Sequence, residues 1–139
     1  LAVDASGVHI GAEELPVEVV RKLIGKDKIL GVTAKTVERA LEAEQNGADY
    51  LGVGAIYPTT TKVITQPTSI ATLREIATTV SIPIVAIGGI KEDNMEPLKG
   101  TGIAGVAIVS EIMKSENIQE KCYGLRKKVT EILGGEVNE

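Results

Sequence analysis

Five short clusters in this sequence carry residue types that hold a phosphate group or its metal counter-ion. Gly88 and Gly89 close the apolar run Ile84–Ile87, and glycines there let backbone N–H groups approach an oxyanion with no Cβ in the way. Thr59, Thr60, Thr61 and Lys62 follow Pro58 and offer three hydroxyls and one ammonium, a set suited to the oxygens and charge of a phosphate group. Ser110 ends the run that starts at Gly105, and Thr33 ends the run that starts at Ile29. Glu13 and Glu14 are adjacent carboxylates. Such a pair suits Mg²⁺, which takes one or two carboxylates plus substrate phosphates, or equally the positive end of a helix dipole. Together the five clusters suggest a phosphorylated small molecule. Each also has a plainer reading, as a tight turn, a solvated loop or a helix-start charge pair.

Other chemistry is poorly represented. His9 is the only histidine and, inside an apolar run, reads as a satisfied core residue. No Ser-His-Asp order, zinc-ligand spacing or dinucleotide glycine fingerprint occurs. The single cysteine, Cys122, excludes an internal disulfide and lies on an apolar helix stripe, so a buried structural thiol and a reducing cytoplasm are expected. Fifteen Lys and Arg stand against nineteen Asp and Glu, a net charge of −4, with no basic run of the kind that phosphate backbones require, which argues against nucleic acid as partner. The longest apolar stretch, Ile82 to Ile90, is well short of the ~20 residues that span a bilayer.

The elements that must position these clusters alternate along the chain. With 43% apolar and 24% charged residues, 139 residues suffice for one folded domain. Strands are expected at Gly7–Gly11, Ile29–Thr33, Tyr50–Ile56, Ile82–Ile87 and Gly105–Val109, each starting about 21 to 32 residues after the one before, the length of a strand–helix unit. Runs this apolar on both faces read as a parallel sheet covered by helices. Between them, Pro16 precedes Val17, Val20 and Ile24 on one helical face, Ser69 can cap the stripe Ile70, Leu73 and Ile76, and a last helix carries Ile118, Cys122, Leu125, Val129 and Ile132. A helix is also expected directly after Gly88-Gly89, with its positive end at the glycines. The polar clusters all follow C-terminal ends of strands, and in a parallel α/β sheet or barrel these lie on one face, where such folds place their sites.

The segments Gly7-Val-His-Ile-Gly-Ala-Glu-Glu14, Leu30-Gly-Val-Thr-Ala34, Gly47-Ala-Asp-Tyr-Leu-Gly-Val-Gly54, Tyr57-Pro-Thr-Thr-Thr-Lys62, Pro83-Ile-Val-Ala-Ile-Gly-Gly-Ile90 and Gly105-Val-Ala-Ile-Val-Ser110 together resemble the thiamine-phosphate synthase family. The Pro-Thr-x-Thr-Lys loop is the most specific of them. The resemblance implies a (β/α)₈ TIM barrel that joins a pyrimidine diphosphate to a thiazole phosphate and releases pyrophosphate with the help of Mg²⁺. It implies that Thr59, Thr60, Thr61, Gly89, Val109 and Ser110 hold the thiazole phosphate, that Lys62 and Thr33 act on the diphosphate, and that Glu14 stands at a metal carboxylate. In the implied reaction pyrophosphate leaves early and the thiazole nitrogen captures a pyrimidine-methyl cation.

Four positions depart from the family pattern: Glu14 stands where Asp is usual, Ala12 where Gln is, Thr33 where Ser is, and Lys35 where His is. The family's Gln-Leu-Arg-x-Lys segment and its Asn-Asp pair do not occur in these residues. Residues 1–139 are therefore expected to be units four to eight of a single barrel domain, with the earlier units outside this sequence. Binding of the thiazole phosphate is expected to survive in this part better than transfer. A thiazole tautomerase-like paralogue and a non-catalytic phosphate-binding barrel are the alternatives, and a homo-oligomer remains open.

Overall fold

All five strands are parallel and stand in the order in which the chain makes them, β1-β2-β3-β4-β5. The computed structural model describes residues 1–11, 13–59 and 66–134. Its strands are β1 (Gly7–Ile10), β2 (Ile29–Thr33), β3 (Tyr50–Val53), β4 (Ile84–Ile87) and β5 (Gly105–Ala107), and its α-helices are α1 (Val17–Ile24), α2 (Val37–Gln45), α3 (Ile70–Thr79), α4 (Ser110–Met113) and α5 (Ile118–Leu133). Each expected strand is present, shortened by up to three residues at the ends, where the chain turns toward a loop.

Helix starts follow local chemistry. Thr36 and Ser69 accept hydrogen bonds from the N–H groups of Arg39 and Thr72, and Asn117 accepts from Glu120 N–H, which satisfies donors that the first helical turn leaves without partners. Between β4 and β5 the expected α-helix is absent. A single 3₁₀ turn at Glu96–Leu98, with Pro97 inside it, stands there. Proline removes a backbone donor, and Gly100 and Gly102 follow in positive-φ conformations that break a helix. Met95, Leu98 and Thr101 fill the place of that helix in the core.

The strand period of two divides the sheet into unlike faces. Leu30 and Val32, Leu51 and Val53, Ile84 and Ala86 are buried against the helices. Their alternates, Gly31 and Thr33, Tyr50 and Gly52, Val85 and Ile87, form the other face. That face is open: Ile29 is 52% exposed and Ile87 40%. His9 lies on this face and is exposed, so the expectation of a core histidine is corrected. Periodicity identifies the two faces of a strand but does not say which of them a neighbour covers.

Cys122 is also exposed. Of its expected stripe only Leu125 and Ile132 are buried, and Ile118 at the start of α5 is exposed. No described helix is long and apolar enough to cross a membrane.

At the opposite end from the polar clusters, Arg21 ties the strand starts together. Its guanidinium donates to the carbonyls of Gly25, Lys28 and Gly47 and to Asp49. Asp49 also accepts the Leu30 N–H at 2.7 Å. That backbone bond, against the opposing effect of burial and with help from Arg21, lowers the Asp49 pKa below its ordinary 3.8. The unfolded chain therefore holds this proton more tightly than the folded one, so the carboxylate's contribution is present above 3.8 and is lost as pH falls through the lower folded value. Water screens the half-exposed Asp49 side chain, so Asp49→Asn is expected to cost only about 1 kcal/mol at neutral pH. It should also flatten the acid limb of stability against pH, measured by urea unfolding at each pH. An unchanged acid limb would remove Asp49 from that role.

Candidate active site

The C-terminal ends of all five strands border one cleft of about 560 Å³. It gathers Glu13 and Glu14 after β1, Thr33 at the end of β2 and Lys35 after it, Gly54 and Thr59 after β3, Gly88 and Gly89 after β4, and Val109 and Ser110 after β5. Of the residues singled out in the sequence, Thr33, Thr59, Gly89, Val109, Ser110 and Glu14 are thus brought to a single place. Thr60, Thr61 and Lys62 lie outside the described residues.

The glycine turn after β4 is held by its carbonyls. Gly88 and Gly89 have φ of 100° and 63°, a conformation that disfavours side chains. The Gly88 carbonyl accepts the Tyr57 N–H at 3.0 Å, and the Gly89 carbonyl accepts Asn94 Nδ2 at 2.9 Å. In a planar trans peptide the N–H points opposite to the C=O, so the N–H groups of Gly89 and Ile90 point away from those partners. A Cβ on Gly89 would lie 2.6 Å from the Pro58 carbonyl oxygen and 2.9 Å from Tyr57 Cβ. The chain therefore packs here as closely as only glycine allows. Asn94 completes the turn by accepting the Lys91 N–H at 2.8 Å, and its own carbonyl takes the Tyr57 hydroxyl at 2.8 Å. Burial raises the Tyr57 pKa, which keeps that phenol protonated as a donor.

Asn94 and Tyr57 were not singled out as site residues, yet they shape the turn. The sequence signal was an Asn a few residues after Gly-Gly, a residue type that closes turns by side-chain-to-backbone bonds. The α-helix expected directly after these glycines, and with it the dipole, is absent; a single 3₁₀ turn stands later in the segment.

Glu14 does not cap a helix. Its Oε2 accepts the Gly11 N–H at 3.0 Å, folding the carboxylate over the end of β1, while α1 starts later, after Pro16. Ser110 opens the short α4. Thr33 Oγ1 lies 2.9 Å from His9 Nε2, and His9 Nδ1 lies 2.9 Å from the Tyr50 hydroxyl. This cluster was missed because its members come from three strands. The site can therefore offer an anion backbone N–H groups, hydroxyls and the Lys35 ammonium, with Glu13 and Glu14 at the rim for a cation.

Comparison with known proteins identifies a family and a fold. Residues 1–112 match the family described as thiamine monophosphate synthase. The chain is 66% identical over 133 residues to a thiamine-phosphate synthase of Enterococcus faecalis, covering 96% of this chain and 63% of that protein. It is 60% identical over 133 residues to thiamine-phosphate synthase 2 of Streptococcus pneumoniae, with the same coverage of 96% and 63%. The structure superposes on thiamine phosphate pyrophosphorylase from Pyrococcus furiosus with a TM-score of 0.82 and 44% identity, over 96% of this chain and 63% of that one. The chain thus spans about 63% of the length of the relatives it matches. It belongs to the thiamine monophosphate synthase family.

Proposed function

We propose that this chain carries the phosphate-binding side of a thiamine-phosphate synthase, an enzyme that joins hydroxymethylpyrimidine diphosphate to thiazole phosphate and releases pyrophosphate. The observation that supports this best is the convergence of all five strand ends on one cleft in a chain of this family. A TIM barrel is the architecture we infer for the whole domain. Strictly sequential parallel strands favour it over a doubly wound sheet, in which the order reverses. Residues 1–139 would be its last five units, with further strands pairing against the outer edges of β1 and β5.

In this reading the turn at Gly89, together with Val109, Ser110 and the hydroxyls of Thr59, Thr60 and Thr61, holds the thiazole phosphate. Thr33 and Lys62 face the pyrimidine diphosphate and stabilise charge on the leaving group. Such groups accelerate the reaction by positioning the two substrates and by meeting negative charge as it develops. Mg²⁺ fits the donor set: Glu14 beside Glu13 supplies the one or two carboxylates that the ion takes when substrate phosphates provide the rest. When bound it would neutralise the diphosphate. The compartment we infer is the cytoplasm.

Three measurements test the reading. Calorimetry should detect thiazole phosphate binding by this chain, with little pyrophosphate release in a coupled assay. No binding would refute the site, and full turnover by these 139 residues would refute the division of the site between units. Gly89→Ala should weaken that binding by at least about tenfold and lower stability by about 1–3 kcal/mol, through strain at positive φ and the clash with Pro58. Glu14→Ala in the longest active form of the protein should raise the Mg²⁺ concentration needed for half-maximal rate. An unchanged requirement would remove Glu14 from the metal role.

A further inference from the structure

His9, Tyr50 and Thr33 form a hydrogen-bonded chain across three strands, and the sheet is cut to fit it. In the strand register His9 pairs with Gly31, and Gly31 pairs with Tyr50. A Cβ on Gly31 would collide with both the Tyr50 ring and His9 Nδ1, and one on Gly52 would lie 3.0 Å from His9 Cε1. The imidazole therefore lies in a slot made by two glycines. Its Nδ1 is 2.9 Å from Tyr50 Oη, and its Nε2 is 2.9 Å from Thr33 Oγ1 at the edge of the cleft.

We propose that His9 is a positioning residue that works as its neutral Nε2–H tautomer. Tyr50 Oη–H donates to Nδ1, Nε2–H donates to Thr33 Oγ1, and the Thr33 hydroxyl hydrogen is turned toward an oxyanion in the cleft. The last link rests on the phosphate-ligand reading above; the first two rest on the distances.

A neutral imidazole has one donor and one acceptor nitrogen, so the chain can run in only two directions. In the opposite direction Thr33 would donate to Nε2 and present only lone pairs to the cleft, which repels an anion. The acid strengths choose between them. A phenol, with a pKa of about 10, is a far stronger acid than an alkyl hydroxyl, so Tyr50 is the better donor to an imidazole lone pair and Thr33 the better acceptor. Each donation then polarises the next group in the same sense, and Thr33 becomes a stronger and better-aimed donor than an isolated threonine. Lys35, Glu13 and Glu14 also line the cleft; the hydrogen-bond partner of Thr33 Oγ1 is His9 Nε2.

His9 is the only histidine in the chain, so one pair of imidazole ¹⁵N resonances reports it. At about pH 8, above the ordinary imidazole pKa, the expected spectrum has a protonated Nε2 and a lone-pair Nδ1. A proton resident on Nδ1 would overturn the proposal. Tyr50→Phe should move the Nδ1 resonance, and an unmoved signal would also overturn it. Pyrophosphate then serves as the probe for the last link. His9→Gln, whose amide can donate from the Nε2 position, should keep pyrophosphate affinity within about twofold. His9→Asn, which reaches only the Nδ1 position, should lose about tenfold, the equivalent of one hydrogen bond to a charged ligand. Equal losses in both variants would refute a positioning role. Failure of the unmodified chain to bind pyrophosphate would refute the phosphate-ligand reading and the Thr33 link with it, while the imidazole spectrum would still decide the direction of the first two bonds.

Discussion

Adjacent strands lie about 4.8 Å apart, so side chains two strands away from each other meet only if the strand between them carries nothing at that level. Gly31 meets that condition. It leaves the space through which His9 on β1 reaches Tyr50 on β3. One level nearer the cleft, Thr33, Gly52, Val85 and Gly105 share a row by register, and the two glycines again keep the floor low. Substituting bulk into these rows would fill the face on which the cleft stands. Three of the fifteen glycines, Gly31, Gly52 and Gly105, therefore shape one face of one sheet.

A floor of missing side chains contributes little packing of its own, so the strands must be held from the other face and from their starts. The helix-side alternates Leu30, Val32, Leu51 and Val53 are fully buried, and each such side chain contributes roughly 1.5–3 kcal/mol by leaving water. Arg21 and Asp49 then join α1, β2 and β3 below the sheet through bonds that are mostly to backbone groups. These contacts fix where β2 and β3 begin. Because all five strands run parallel with three to five residues each, fixing their starts also brings their ends to one height. The cleft is the consequence at the other end.

Much of this was legible in the residues, and the failures share a cause. Strands and caps depend on local pattern: β-branched runs, Ser69 before a stripe, Thr33 at the end of a run. These were found with errors of a few positions. The exposure of His9 and Cys122 depends on what lies across from them. A histidine among apolar neighbours reads as core when both strand faces are assumed covered, yet one face here is open. The stripe from Ile118 to Ile132 is a correct helical period, but only Leu125 and Ile132 of it are buried. Alternation states which residues share a face, and only the tertiary partner states which face meets water.

The missing helix after Gly88-Gly89 has the same origin, and it changes the physics of the site. A helix N-terminus attracts an anion through a diffuse partial charge that falls off within a turn and is screened by salt. Two positive-φ glycines with carbonyls pinned by Tyr57 and Asn94 instead aim particular N–H groups, in the manner of a backbone nest. Directed donors discriminate by geometry, because a hydrogen bond weakens steeply once it bends. If the cleft holds a phosphate as proposed, directed donors of this kind would favour a tetrahedral oxyanion seated at one depth over an anion that merely brings charge. In that proposed site the side chain of Asn94, outside the cleft's own strand ends, would determine anion fit as much as the glycines it holds in place.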